Sequence, residues 1–138
     1  MAMELHTEGL QFALEVLFSE EQSVPANYYI GLATDASLAE DATLASLTEV
    51  SGSGYARQAV ASNNTDFTSA ATGTNDRKTT TKVVTFTATG AWTGANTAFL
   101  ATTVDGTGKL IGSVPLSATR TLASGDTLQL ALEVDLAG

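Results

Sequence analysis

The chain contains one histidine, His6, and no cysteine. Nucleophilic and transition-metal chemistry draw heavily on these two residue types. A Ser-His-Asp arrangement would have to recruit His6, and no G-x-S-x-G turn exists to hold the serine. One imidazole without thiolates is a poor ligand set for a first-row metal. His6 reads instead as an exposed residue near a helix start. Gly52-Ser53-Gly54 and Gly106-Thr107-Gly108 are short G-x-G pieces that lack the continuation a phosphate loop needs, and they read as turns. Asp35, Glu40, Asp41 and Glu49 share one polar stretch. Carboxylates in such a run can gather around calcium or act as an acid–base pair. They lack the D-x-[DN]-x-[DN]-G order and read as solvated loop acids. No catalytic, metal-binding or cofactor-binding residue is assigned, and no cofactor is expected.

Arg57 is the basic residue with the most to offer. It sits in Tyr55-Ala56-Arg57-Gln58, between a glycine turn and a strand. A planar guanidinium pairs well with carboxylates, and Glu49 is the local partner. The pair is either internal to the fold or part of a subunit contact. The residues assigned to a contact surface are Leu10, Leu14, Leu17, Tyr55, Arg57 and Trp92.

These residues need elements to position them. The last stretch, Asp126 to Leu136, carries Leu128, Leu130, Leu132, Val134 and Leu136 on alternate positions, the period of a strand with one apolar face. It needs neighbouring strands and a covering layer. Residues 3–19 read as the one helix, with Leu10, Ala13, Leu14 and Leu17 on one face and Phe12, Val16 and Phe18 widening it. Gly9 weakens its first turn, and Thr7 is a candidate cap for a later start. That helix either covers one end of a β core or docks on a neighbouring subunit.

Asn27–Ala33 reads as a strand, and Thr34–Val50 as a long acidic loop or helical turn with Leu38, Leu44 and Leu47 inside it. Ser51–Val60 turns into a strand. Asn63–Lys82 reads as a polar, mobile or partner-ordered excursion anchored by Phe67. Lys82–Thr89, Thr97–Val104 and Lys109–Pro115 are strands, with Ala118–Leu122 a short further one. Asp105-Gly106 is a hairpin signal that tolerates positive φ. Pro115 marks a strand end or edge. Six or seven short strands without βαβ alternation predict an antiparallel β-sandwich, jelly-roll or Ig-like, with one N-terminal α-helix.

The 138 residues fit a single domain, 1–138, large enough to bury a core. Charged residues are only 15 %, so the polar surface must be largely Thr, Ser, Asn and Gly. The net charge of −9 argues against nucleic acid, whose phosphates would be repelled. No run reaches the ~20 apolar residues of a membrane helix, and no Lys or Arg precedes the first apolar run as a signal peptide requires. The expectation is a protein made in a host cytoplasm, with no membrane partner.

Four pieces carry a family likeness: Y-Y-I-G-L-A-T (Tyr28 to Thr34), E-V-S-G-S-G-Y-A-R-Q-A-V (Glu49 to Val60), V-T-F-T-A-T-G-A-W (Val84 to Trp92) and G-K-L-I-G-S-V-P-L-S-A-T-R-T-L-A-S-G-D-T-L (Gly108 to Leu128). With the N-terminal helix before them, the chain resembles small tailed-bacteriophage virion proteins described as tail-fibre-like or head-decoration proteins. The G-Y-A-R-Q piece and the S-G-D-T-L piece are the most specific parts. The resemblance implies a compact β fold and a structural, non-enzymatic role in the virion. The first expectation is a capsid decoration or cement protein, a homo-oligomer and specifically a trimer, clamping the major capsid protein or other virion proteins. The alternative is a tail, fibre or baseplate component that touches the host, for which Trp92, Tyr28, Tyr29 and Tyr55 are the available sugar-stacking aromatics. A glycan hydrolase, needing two carboxylates in a cleft, ranks third.

Overall fold

Strand-forming runs dominate the chain, and polar turns separate them. A computed structural model describes residues 1–137. In chain order the strands are β1 (Glu4–Leu5), β2 (Asn27–Ala33), β3 (Gln58–Ala61), β4 (Phe67–Ala71), β5 (Asp76–Thr81), β6 (Val84–Thr87), β7 (Ala95–Ala101), β8 (Leu110–Arg120), β9 (Thr127–Leu130) and β10 (Glu133–Ala137). One α-helix, α1 (Thr7–Leu14), lies between β1 and β2 and continues into a π-helical turn, Glu15–Ser19. The molecule is thus mainly β with one helix near the N-terminus.

The first layer is a five-stranded sheet in the order β1-β8-β7-β2-β3, antiparallel throughout. Its central strand β7, A-N-T-A-F-L-A, does not alternate, because both faces are covered. Ala98 and Leu100 face the main core with Ile30, Leu32 and Val60. Phe99 and Ala101 face the other way, against Leu44 of the 34–50 segment. That segment is therefore a packed loop, and its leucines form the second core. Gly31 opposes Phe99 across the β2–β7 ladder, and a Cβ there would stand 2.3 Å from the Phe99 ring.

The second layer is built by β10-β5-β4 and by β6-β9. These two small sheets are one bent ribbon. β5 and β6 follow each other along one edge, and β10 and β9 run back along the other. Between Thr80↔Glu133 and Val84↔Leu130, the three residues 81–83 face the two residues 131 and 132. An extra residue on one strand bends it and raises the local twist, as a β-bulge does. Thr81 stitches the bend: its amide donates to the Leu132 carbonyl at 2.9 Å, and its hydroxyl accepts the Leu132 amide at 3.0 Å. Val84, Phe86, Leu130 and Leu132 point from this ribbon into the main core.

Several expectations change. The final strand is not continuous; it breaks at Ala131–Leu132, and the leucine row runs from buried Leu130 and Leu132 to Leu136, which is 60 % exposed. Asn63–Lys82 is not an unpaired excursion. It forms the β4–β5 hairpin, because its Thr-rich alternation finds β10 as a third strand. The helix begins at Thr7, since Glu4 and Leu5 are taken into the sheet beside β8 and the Met3 amide bonds to Glu133. Thr7 is not the cap: His6 holds that position, with no side-chain capping bond. Lys109–Pro115 and Ala118–Leu122 merge into β8, and Pro115 lies where β8 has run past β1 and pairs only with β7. Gly106 does not use positive φ. Asp105 makes that turn instead, its carboxylate accepting the Thr107 amide at 2.9 Å.

Candidate interaction surface

Arg57 shows how the loops are tied down. Its Nε and Nη2 each donate at 2.9 Å to the two carboxylate oxygens of Glu49. Its Nη1 donates to the carbonyls of Thr103 and Asp105 at 2.8 and 2.7 Å. The guanidinium also lies 5.2 Å from the centre of the Phe99 ring, within cation–π range. The hydroxyl of Tyr55 donates to Glu49 at 2.6 Å and accepts the Leu32 amide at 2.9 Å. Burial, and then the adjacent Glu49 carboxylate, push the Tyr55 phenol far above its ordinary value, so it stays a neutral donor. Only 5 % of the Arg57 side chain is exposed. The internal ion pair is thus the arrangement formed, and Arg57 clips the 49–57 segment to the β7–β8 turn.

Trp92 is also internal. Its Nε1 donates to the Ser53 carbonyl at 2.7 Å, and its ring meets Tyr55 edge-on at 5.3 Å. Gly52, at φ 150°, packs so close that a Cβ would stand 2.4 Å from the Trp92 ring. Of the aromatics considered for sugar stacking, Trp92 is buried, Tyr55 is bonded inward, and Tyr28 leans on Phe67 with centroids 5.7 Å apart. Trp92, Tyr55 and Arg57 therefore spend their contacts on the fold.

His6 is fully buried, contrary to the exposed position read from the sequence. Its Nδ1 lies 2.9 Å from the Ala39 carbonyl and its Nε2 lies 2.7 Å from the Ser113 hydroxyl. A carbonyl can only accept, so Nδ1 carries a proton, and in the neutral ring Nε2 accepts from Ser113. The structure has brought a serine to the lone histidine, with the polarity a nucleophile–base pair would have. Both side chains are sealed from solvent, and the third partner is a backbone carbonyl. The pair pins β8 to the 34–50 loop.

The loop acids are dispersed. Glu49 holds Arg57, Asp35 accepts the Thr48 amide at 2.7 Å, and Glu40 and Asp41 are exposed. Among the described residues, no group of three or more His, Cys, Asp or Glu side chains is placed to hold a metal ion.

Four of the large apolar side chains that the fold leaves uncovered lie together on α1 and the turn after it. The face that packs inward is Gly9 and Phe12. A Cβ on Gly9 would stand 2.2 Å from the Ile111 carbonyl oxygen, so glycine is what lets the helix lie against β8. Leu10, Leu14 and Leu17, one step round the helix, point outward at 48, 56 and 69 % exposure. Phe18 is 77 % exposed and follows in the π-helical turn, which Glu20 closes in the left-handed conformation at φ 56°. Fully burying such a side chain from water stabilises by about 1.5–3 kcal/mol, and this chain alone forgoes roughly half or more of that at each position. Beside the helix runs an open groove of about 510 Å³ between α1 and the second layer. Phe12, Val16, Val24, Phe67, Ile111 and Val134 line it. The stripe was visible in the sequence, but its outward direction was not. The groove was missed because its walls come from seven separate segments.

No curated protein matches the sequence. The family model described as Podophage GP4 fiber I protein gp80 matches residues 12–134. That span begins inside α1 and ends inside β10, so it takes in both layers of the fold. A fibre family favours the tail and fibre reading over capsid decoration. The chain belongs to the Podophage GP4 fiber I protein gp80 family, and is a phage virion structural protein of the fibre-related kind.

Proposed function

We propose that this protein is a subunit of the phage tail or fibre apparatus, and that it works by assembling with other virion proteins and transforms no substrate. The fibre family supports the location. The observation that carries the mode of action is the outward leucine stripe of α1. Leu10, Leu14, Leu17 and Phe18 form an apolar surface that the fold leaves in water, and exposed apolar patches of this kind mark interaction sites. The internally engaged Trp92 and Tyr55 offer little to a sugar, so the contact with the host is made by the assembled fibre and not by an aromatic platform on this chain.

The test is the position of the protein in intact particles. Antibody-gold labelling, with copy number from quantitative mass spectrometry, is expected to place a small number of copies on the tail or its fibres. Label spread over the head, with copies in proportion to the shell subunits, would return the protein to capsid decoration. Removing residues 1–18 is not a clean probe of docking, because Met3, His6 and Phe12 are buried in the fold.

A further inference from the structure

Two clefts flank α1, and they differ in character. The groove described above has no charged residue in its lining. On the other side, a cleft of about 360 Å³ is lined by three carboxylates, Glu8, Glu15 and Asp41, against one ammonium, Lys109. Phe12 borders both. Leu10, Leu14 and Leu17 stand exposed along the same helix, and Glu20 and Glu21 are exposed just beyond it. The first Lys or Arg of the chain is Arg57, which is engaged with Glu49. The N-terminal third of the sequence therefore supplies only carboxylates as charged side chains, and the apolar stripe is bordered by negative charge.

We propose that this face docks an amphipathic segment of another virion protein whose polar edge is Lys- or Arg-rich. Its apolar side lies on the leucines and in the groove, and its basic side meets the acidic cleft. The inference rests on the assembly reading and adds the chemistry of the partner. Charge complementarity selects the occupant. A second copy presenting the same face would set carboxylates against carboxylates. Anionic lipid and nucleic acid are repelled for the same reason. An amphipathic segment laid in an apolar groove is an established mode of peptide recognition.

The test uses the full-length protein, isotope-labelled for NMR, and two synthetic amphipathic helical peptides with identical leucine faces. One carries lysine on its polar face and the other glutamate. The Leu/Lys peptide is expected to bind, to perturb amides of α1, Val24 and β4, and to weaken as salt is raised. The Leu/Glu peptide is expected not to bind. Leu17→Glu, at an exposed position, should weaken the Leu/Lys peptide about tenfold or more while leaving the melting temperature unchanged. Equal binding of both peptides, binding of neither, or perturbations confined to other surfaces would overturn the proposal. So would broadening of the α1 resonances with protein concentration alone, which assigns the face to a second copy. Because the readout needs no virion, a failed titration alongside a tail-located label removes the basic partner and leaves the fibre reading standing.

Discussion

Arg57 and Glu49 stand eight positions apart in the chain, yet their pairing fixes a third segment, the β7–β8 turn, through the carbonyls of Thr103 and Asp105. Removing a buried partner leaves the other charge uncompensated, at a cost of about 3–5 kcal/mol for a fully buried pair. Glu49 keeps 29 % exposure, so the lower end applies. Arg57→Ala is expected to lower unfolding free energy by about 3 kcal/mol in urea titrations, and a loss below about 1 kcal/mol would show the clip to be a surface pair. Two other acids set the acid limb. Asp66 is held below the usual carboxylate range by Lys82 and the Ala61 amide, and Asp105 by the hydroxyl and amide of Thr107. A depressed folded pKa contributes stability above the unfolded value of about 3.9, and that contribution is lost as pH falls through the folded value. Stability should therefore fall below pH ~4, and less steeply in Asp66→Asn, as measured by thermal melts across pH. The Arg57–Glu49 pairing was readable because both residues lie in one short stretch. The burial of His6 was not, because its partners Ala39 and Ser113 come from distant segments.

Strand-length runs revealed β2 and β6 as elements, and Val84, Phe86 and Ala88, on alternate positions of the Lys82–Thr89 run, are buried. Alternation was silent on where β9 becomes β10, since both halves of Asp126–Leu136 keep the same period while changing partner strands. The bend comes from the extra residue opposite, which no local pattern of the last strand can report. One apolar row therefore contains positions of opposite character. Leu132→Asp would bury an unpaired charge at a site with no exposure and is expected to cost more than about 4 kcal/mol, enough to prevent folding. Leu136→Asp, at 60 % exposure, should stay within about 0.5 kcal/mol of the parent. Circular dichroism melts of the two variants separate them, and equal losses would contradict the bend. On α1 the same ambiguity ran around the helix axis. The 9–12–16 spacing and the 10–14–17 spacing are both helical, and only the contact of Gly9 with Ile111 decides which face turns in. Gly9→Ala should undock the helix from β8 or cost roughly 1–3 kcal/mol in overpacking, seen as lost amide protection in residues 7–14.

Taken as one body, the protein balances an inward-facing chemistry against an outward-facing helix. Its histidine, its tryptophan and its best-placed arginine all hold segments of the fold together. Mainly β architecture was legible from the strand-length runs and the missing βαβ rhythm. So was a sandwich of two layers; that β4–β5 belongs to the second layer was not, because it carries Thr, Ser and Lys where a covering sheet is expected to look apolar. The ribbon that forms the second layer also has a consequence in time. Its β9–β10 edge leaves the ribosome after the β2, β7 and β8 strands it covers. A nascent chain halted near Gly125 carries Ile30, Leu100 and Phe86 with no lid of Leu130 and Leu132 over them. Such a chain is expected to be captured by chaperones or to aggregate, so protection from proteolysis should appear only after β10 clears the exit tunnel.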